Sequence, residues 1–203
     1  MNWNRVIPIS FDKGGTFMHL FTALPIPLFA AEALHVWSDR NRESLPFRKR
    51  THPLDYHLTL QFLGAVPDER VPELLRALGG VRFSPFRIML SGTGTFGQPV
   101  APRVLYSTVD GDLDGLRSLH TSILQATAPL GYLPEDRPFA PHITIARRFD
   151  AGAGASWDAR LLGTMPAGAA WIADRFALMR THLNASPMYE TVREFPAIPE
   201  ARG

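Results

Sequence analysis

Cysteine is absent from all 203 residues, which excludes a disulfide framework, a thiolate nucleophile and a cysteine-based zinc site. A cysteine-free chain fits a reducing compartment, and the cytoplasm is the expected location. No run of eighteen apolar residues occurs, so no membrane-spanning helix is expected. The opening MNWNRVIPISFDKGG lacks an apolar stretch followed by a small-x-small cleavage site, the pattern of an export signal. Lysine is nearly missing too: Lys13 and Lys49 stand among 21 basic residues. Arginine suits bidentate phosphate contacts, but a formal net charge of only +2 is weak support for a nucleic-acid partner. Most of these arginines read as solvated surface.

With 45% hydrophobic residues, the chain can bury a core as one domain or two tightly joined lobes. Residues 17–24, FMHLFTAL, read as a strand, closed by Pro25 and Pro27 ahead of a helix in which Phe29, Ala33, Val36 and Trp37 recur at helical spacing. Residues 40–50 concentrate arginine around Pro46 and read as a charged loop. YHLTLQFL at 56–63 is a strand, and PDERVPELLRALGG after it places Val71, Leu74, Leu75 and Leu78 on one helical face. FRIMLS and RVLYSTV are strands, followed by a helix over about 112–128 and the strand HITIARRF. A strand pattern in WIADRFALMRTHL, a turn at NASP and a closing strand MYETVREF complete the chain. Hairpin-capable strands mixed with helices favour α+β with antiparallel sheet over a doubly wound fold. Two comparable strand-and-helix settings suggest two pseudo-equivalent lobes.

Those two settings carry the chemistry. HLTL at 57–60 and HITI at 142–145 share one pattern: His, apolar, Thr, apolar. Side chains alternate faces along a strand, so His57 and Thr59 point one way while Leu58 and Leu60 anchor the other, and His142 and Thr144 repeat the arrangement. A lone strand histidine usually just satisfies a local hydrogen bond. A matched pair lining one groove can place a base behind an attacking water and an acid beside a leaving oxygen, and histidine titrates near neutrality. The threonine hydroxyls can hold non-bridging phosphate oxygens. No metal is required.

The paired motifs, with the flanks FMHLFTALPIP, YHLTLQFLGAVPDE, PRVLYSTV, FAPHITIARRF and MYETVREFP, resemble the 2H phosphoesterases, specifically the LigT-like RNA 2′,3′-cyclic phosphodiesterases formerly called 2′-5′ RNA ligases. The resemblance covers most of the chain. It implies a bilobal α+β fold, two antiparallel sheets flanking a central groove with helices on the outer faces, and hydrolysis of a terminal 2′,3′-cyclic phosphate to a 2′-phosphate. It implies that His57 is the proton donor and His142 the acceptor, that Thr59 and Thr144 hold the phosphate, and that Arg147 stands near it. No cofactor is expected, and the implied partners are RNA ends or nucleotides bearing a 2′,3′-cyclic phosphate, met by a monomer. Residues 17–197 would form the single bilobal domain, with 1–16 an extension of unassigned role and 198–203 a tail. His19 and His182 depart from the family pattern at the groove rim. Alternatives left open are ligation by the same site in reverse, a cyclic-nucleotide substrate, and a non-catalytic module that binds RNA ends.

Other signals carry less. GTGTFG at 92–97 matches G-x-G-x-x-G in letters, but a proline-broken turn and a strand follow where a dinucleotide site needs a helix, so it reads as a loop. Asp110, Asp112 and Asp114 imitate the start of a calcium loop, yet Thr121 stands where a bidentate Glu is needed, and helix capping is the better use. His120 reads as a boundary residue, and His35 and His52 have no partner pattern. Arg48, Lys49 and Arg50 could gather RNA phosphates or simply face water. Phe21, Tyr56 and Phe96 are loose candidates for stacking on a base, with packing the preferred role for Phe21 and Tyr56.

Overall fold

The computed structural model describes residues 16–98, 100–150 and 159–198. Along the chain the elements are β1 (Phe17–Pro25), α1 (Leu28–Arg40), β2 (Phe47–Arg50), β3 (His57–Pro67), α2 (Val71–Gly79), β4 (Phe86–Gln98), β5 (Ala101–Gly111), α3 (Leu113–Thr127), β6 (His142–Phe149), β7 (Ala170–Ala173), β8 (Arg175–Thr181) and β9 (Tyr189–Pro196). All strand pairs are antiparallel, in the order β7-β4-β5-β6-β3-β1-β8-β9, with β2 added beside β6. The expected α+β class is what forms.

The two expected sheets are two arms of one curled sheet. β7-β4-β5-β6 makes one arm and β3-β1-β8-β9 the other, and they join through a single residue pair, Leu58 opposite Ile143. Only Asp174 separates β7, at one edge, from β8, next to the opposite edge. Consecutive Cα atoms are about 3.8 Å apart, so the sheet must curl until its far ends nearly meet. A bridge between Phe83 and Ile198 helps tie the same region.

One face of this sheet is packed. Leu58 and Ile143 at the join are fully buried, as are Ile145 and, nearly, Leu60. Helix α2 buries Val71, Leu74 and Leu78, and α3 buries Leu116, Leu119, Ile123 and Thr127. Asp112 caps α3 by accepting the Gly115 N–H at 2.7 Å, which is the capping use expected of it. The Thr127 hydroxyl donates to the side-chain amide oxygen (Oε1) of the buried Gln61 at 2.8 Å, tying α3 to β3.

Several local expectations are corrected. In α1 the buried stripe is Ala30, Ala31, Leu34, Trp37 and Ser38, while Phe29 and Val36 are exposed; apolar residues occur all around this helix, so spacing alone does not select its face. Residues 40–50 are not one loop: α1 runs to Arg40, and Phe47–Arg50 form β2, pulled into the sheet by the buried Phe47. GTGTFG is part of β4, not a loop. Its glycines act by omission, since a Cβ on Gly94 would lie 2.4 Å from the Tyr106 ring. WIADRFALMRTHL is split into β7 and β8, on different arms. The greater part of the N-terminal extension and of the tail lies outside the described residues.

Candidate active site

The register at the join decides what faces the groove. Leu58 and Ile143 are direct antiparallel partners, so a local two-fold axis between them sets His57 across from Thr144 and Thr59 across from His142. Opposed residues share a face. Since Leu58 and Ile143 point into the core, both histidines and both threonines must emerge together on the other side. The five predicted site residues divide accordingly: His57 and Thr59 on β3, His142, Thr144 and Arg147 on β6.

The symmetry extends to backbone irregularity. Thr59 pairs with Ala23 and Gln61 with Thr22, leaving Leu60 as an extra residue; Thr144 pairs with Tyr106 and Ala146 with Leu105, leaving Ile145 extra. Each motif therefore carries a bulge at its fourth position, and both strands show the same sequence of burial over their first six residues. A bulge resets the alternation of faces. It exposes the sixth residue of each motif, Phe62 in one and Arg147 in the other.

Each imidazole is held by the carbonyl two residues before it. His57 Nδ1–H donates to the Asp55 carbonyl at 2.7 Å, and His142 Nδ1–H donates to the Ala140 carbonyl at 2.7 Å. A carbonyl oxygen only accepts, so Nδ1 carries the proton in both rings and Nε2 is the nitrogen left for chemistry. The Thr59 hydroxyl lies 3.1 Å from His57 Nε2, and Arg147 donates to the Thr144 hydroxyl at 3.2 Å. Burial pushes His57 down to about 4, opposed by the Asp55 carbonyl and reinforced by the Arg147 charge. His142 is also lowered, chiefly by burial and then by Arg147 and Arg137, against the Ala140 carbonyl and Glu135. At neutral pH both rings are therefore neutral in the free site, each with a basic Nε2.

Aromatic residues complete the surroundings, Phe21 and Phe96 among the expected candidates and Tyr106 and Tyr189 not anticipated from sequence. His57 packs on Phe21 (ring centroids 4.8 Å) and edge-on to Tyr189 (4.9 Å), and His142 packs edge-on to Phe96 (4.9 Å) and against Tyr106 (5.2 Å). Phe21 and Tyr56 are buried, as expected of packing residues. The buried Asp55 carboxylate accepts the backbone N–H groups of Met188 (3.0 and 2.9 Å) and Tyr189 (3.0 Å), fixing β9 against the loop that carries the His57 acceptor. Nothing in the motif marks Tyr106 or Tyr189, because they come from other strands. Phe62 is legible in principle by aligning HLTLQF on HITIAR.

The remaining candidates have other surroundings, except that His120 borders the cavity of about 390 Å³ whose wall also includes Thr59 and His142. Arg48 pairs with Asp150 at 2.8 Å, and Arg50 donates to the carbonyls of Ser38 (3.1 Å) and Arg42 (3.0 Å), so two members of the basic cluster have structural duties. His35 and His52 border a separate cavity of about 190 Å³. His120 stacks on Phe139 at 3.9 Å, a boundary position as expected. His182 pairs with Glu190 at 2.6 Å. Among the described residues no group of three His, Asp or Glu side chains is gathered as a metal site, and no helix is long and apolar enough to cross a membrane.

Comparison with known proteins identifies the family. The family model described as LigT like Phosphoesterase matches residues 25–106, which includes the first motif. An RNA 2′,3′-cyclic phosphodiesterase of Bacillus subtilis (strain 168) is 36% identical over 182 residues, covering 87% of this chain and 95% of the relative. One of the same name from Geobacillus stearothermophilus is 37% identical over 183 residues, covering 89% of this chain; the match spans 57% of that longer relative. A crystal structure of a Thermus thermophilus protein is 31% identical, with a TM-score of 0.69, covering 91% of this chain and all of that one. Given near-complete coverage of the Bacillus subtilis relative, and two symmetry-related histidine–threonine strands facing one groove, the chain belongs to the LigT-like phosphoesterase family.

Proposed function

We propose that this chain is an RNA 2′,3′-cyclic phosphodiesterase that opens a terminal cyclic phosphate to a 2′-phosphate by paired histidine acid–base catalysis. The observation that carries this reading is the pair of imidazoles related by the two-fold join, each with Nδ1–H held by a carbonyl and Nε2 left for substrate. The activity named for the Bacillus and Geobacillus relatives supports the substrate class.

His142 Nε2 takes a proton from water as its oxygen attacks phosphorus. The bond from phosphorus to the 3′ oxygen breaks, and that oxygen receives the proton from His57 Nε2, leaving the phosphate on the 2′ oxygen. His57 must be protonated for this step, whereas burial keeps it neutral in the free site. An anionic phosphodiester beside Nε2 favours the imidazolium and raises its affinity for a proton. Binding of substrate therefore arms the acid. Thr59, Thr144 and the Arg147 guanidinium hold the non-bridging oxygens as charge develops, and Arg147 already orients the Thr144 hydroxyl. No step draws on a metal ion or cofactor.

The test uses RNA ending in a 2′,3′-cyclic phosphate, in EDTA, with the product followed by phosphorus NMR. Wild type is expected to yield the 2′-phosphate, and His57→Ala and His142→Ala to lose ~10²–10⁴-fold in rate. A phosphodiester with a 4-nitrophenolate leaving group needs little acid assistance, so it should restore His57→Ala selectively. Restoration of His142→Ala instead would reverse the two roles, and formation of a 3′-phosphate would overturn the ring-opening direction. A folded wild type with no turnover would leave a module that only binds RNA ends.

A further inference from the structure

The basic cluster at 48–50 is divided between different duties by the register of β2. Arg48 is held by Asp150, and Arg50 donates to the carbonyls of Ser38, in α1, and of Arg42 just past it. Arg50 is opposed to the buried Ala146, and Lys49 to the exposed Arg147. Opposed residues share a face and successive ones alternate, so Arg50 goes to the α1 side while Lys49 stands beside Arg147 on the groove face. The Cα atoms of such partners are about 4.5–5.5 Å apart. Arg147 is fixed on that face by its contact with the Thr144 hydroxyl. Immediately beyond it Arg148 takes a left-handed backbone, φ 63°, which a residue with a Cβ rarely adopts. The alternation breaks there: the next pair, Phe47 opposite Phe149, brings its rings together at 5.8 Å with Phe47 in the core, although Lys49, two residues on, is exposed. No hydrogen bond or ion pair ties the Lys49 ammonium to a described residue.

We propose that Lys49 binds the phosphodiester immediately upstream of the reacting nucleotide, so that the groove favours the end of an RNA chain over a mononucleotide. Three observations converge. First, the Arg147 charge lowers both imidazoles, and Lys49 is not among the charges that do so; Arg147 therefore serves the phosphate between the histidines, and Lys49 lies one strand further out. A chain held by its terminal phosphate carries its next negative charge one nucleotide away, and a second cation beyond Arg147 meets it. Second, the opposite end of the groove offers no comparable cation: β3 presents Phe62 at the position matching Arg147, and the arginine beside it in the cavity wall, Arg137, is paired with Glu135. The anionic backbone is drawn to the β2 side. Third, the two cations differ as their tasks do. A planar guanidinium suits a phosphate held in one geometry, whereas an ammonium on a flexible stem follows a backbone whose conformation varies from one RNA to another. Lys49 is the only lysine among the described residues. A phosphate contact carries no sequence information, so this subsite selects polymer over monomer without reading bases.

This inference rests on the hydrolase reading, and the experiment separates the two. Hydrolysis of adenosine 2′,3′-cyclic phosphate is compared with that of the dinucleotide ApA ending in a 2′,3′-cyclic phosphate, and of the same dinucleotide with its internal phosphodiester replaced by an uncharged methylphosphonate, for wild type, Lys49→Gln and Lys49→Arg. Binding of ApA ending in a 2′-phosphate, with either internal linkage, is measured in parallel by calorimetry. One exposed ion pair corresponds to roughly 1.5- to 5-fold in affinity. Wild type is expected to favour the charged dinucleotide over both other substrates through KM. Lys49→Gln should erase that preference by raising KM for the charged dinucleotide within that range, and should flatten its logarithmic salt dependence by about 0.7, the share of one single-strand phosphate contact. Lys49→Arg, which keeps the charge, should restore most of the preference. A rise in KM that is equal for all three substrates, or a wild type indifferent to the internal charge, would overturn the upstream contact and leave the hydrolase standing. In a wild type without turnover, binding of the 2′-phosphate that depends on both Lys49 and the internal charge would keep the contact and remove the hydrolase; binding that depends on neither would overturn both.

Discussion

The burial of His57 makes a quantitative prediction about acid stability. Its imidazole is moved from an ordinary 6.5 down to about 4 by loss of water around the ring. In the unfolded chain the same group protonates near 6.5, so between these two values the unfolded state binds more protons and stability rises with pH. The contribution is fully present above about pH 6.5 and is lost as pH falls through about 4. Integrating over the two protonation equilibria gives a loss of about 2 kcal/mol at pH 5 and about 3 kcal/mol below pH 4. His142 and His120 are lowered as well, so wild type should lose more than this in total. Urea unfolding of wild type and His57→Asn, followed by fluorescence from pH 4 to 8, isolates the His57 share, because the asparagine amide can still donate to the Asp55 carbonyl but does not titrate. The variant's curve should be flatter by about 2 kcal/mol between pH 7 and pH 5. Parallel curves, or a His57 ring proton that titrates near 6.5 by NMR, would refute the assignment of a buried neutral imidazole.

Asp55→Ala strips two backbone N–H groups of their acceptor, those of Met188 and Tyr189; at about 1–3 kcal/mol for each buried unsatisfied group, thermal or urea unfolding should show a loss of several kcal/mol. In the fraction that remains folded, kcat should fall as Tyr189 loosens against His57. Gly94→Ala drives a Cβ into the Tyr106 ring, and overpacking of this kind typically destabilises by about 1–3 kcal/mol; the His142 ring resonances should shift with it. Arg147→Gln removes the charge beside Thr144 and is expected to lower kcat and raise KM together on a cyclic phosphate, with the His57 pKa rising because a lowering charge is gone. A KM effect alone would assign Arg147 to ground-state binding only.

The elements and the shared face of the motif residues are largely legible in the sequence because both rest on local rules. The alternation in HLTL and HITI fixes which side chains share a face whatever the rest of the chain does, and it singles out His57, Thr59, His142 and Thr144. The helical stripe of α2 and the Asp112 cap are equally local. The buried face of α1 is not legible because no single side of that helix is polar, so only its neighbours could select it. The Arg40–Arg50 stretch hides a strand because partnership with β6, and not its own charged residues, makes β2 a strand.

What only the tertiary structure decided is the join. Opposing Leu58 to Ile143, rather than shifting by one residue, sends all four motif side chains to the same face; a slip of one would have turned one histidine into the core. Pairing partners are chosen by the summed burial of many distant side chains, which no window of sequence contains. The same long-range packing carried Tyr189 to His57 and Tyr106 to His142, and it left Phe62 open at one end of the groove and Arg147 at the other. Sequence determined that two matched histidine–threonine strands exist; the curled sheet determined that they face one groove.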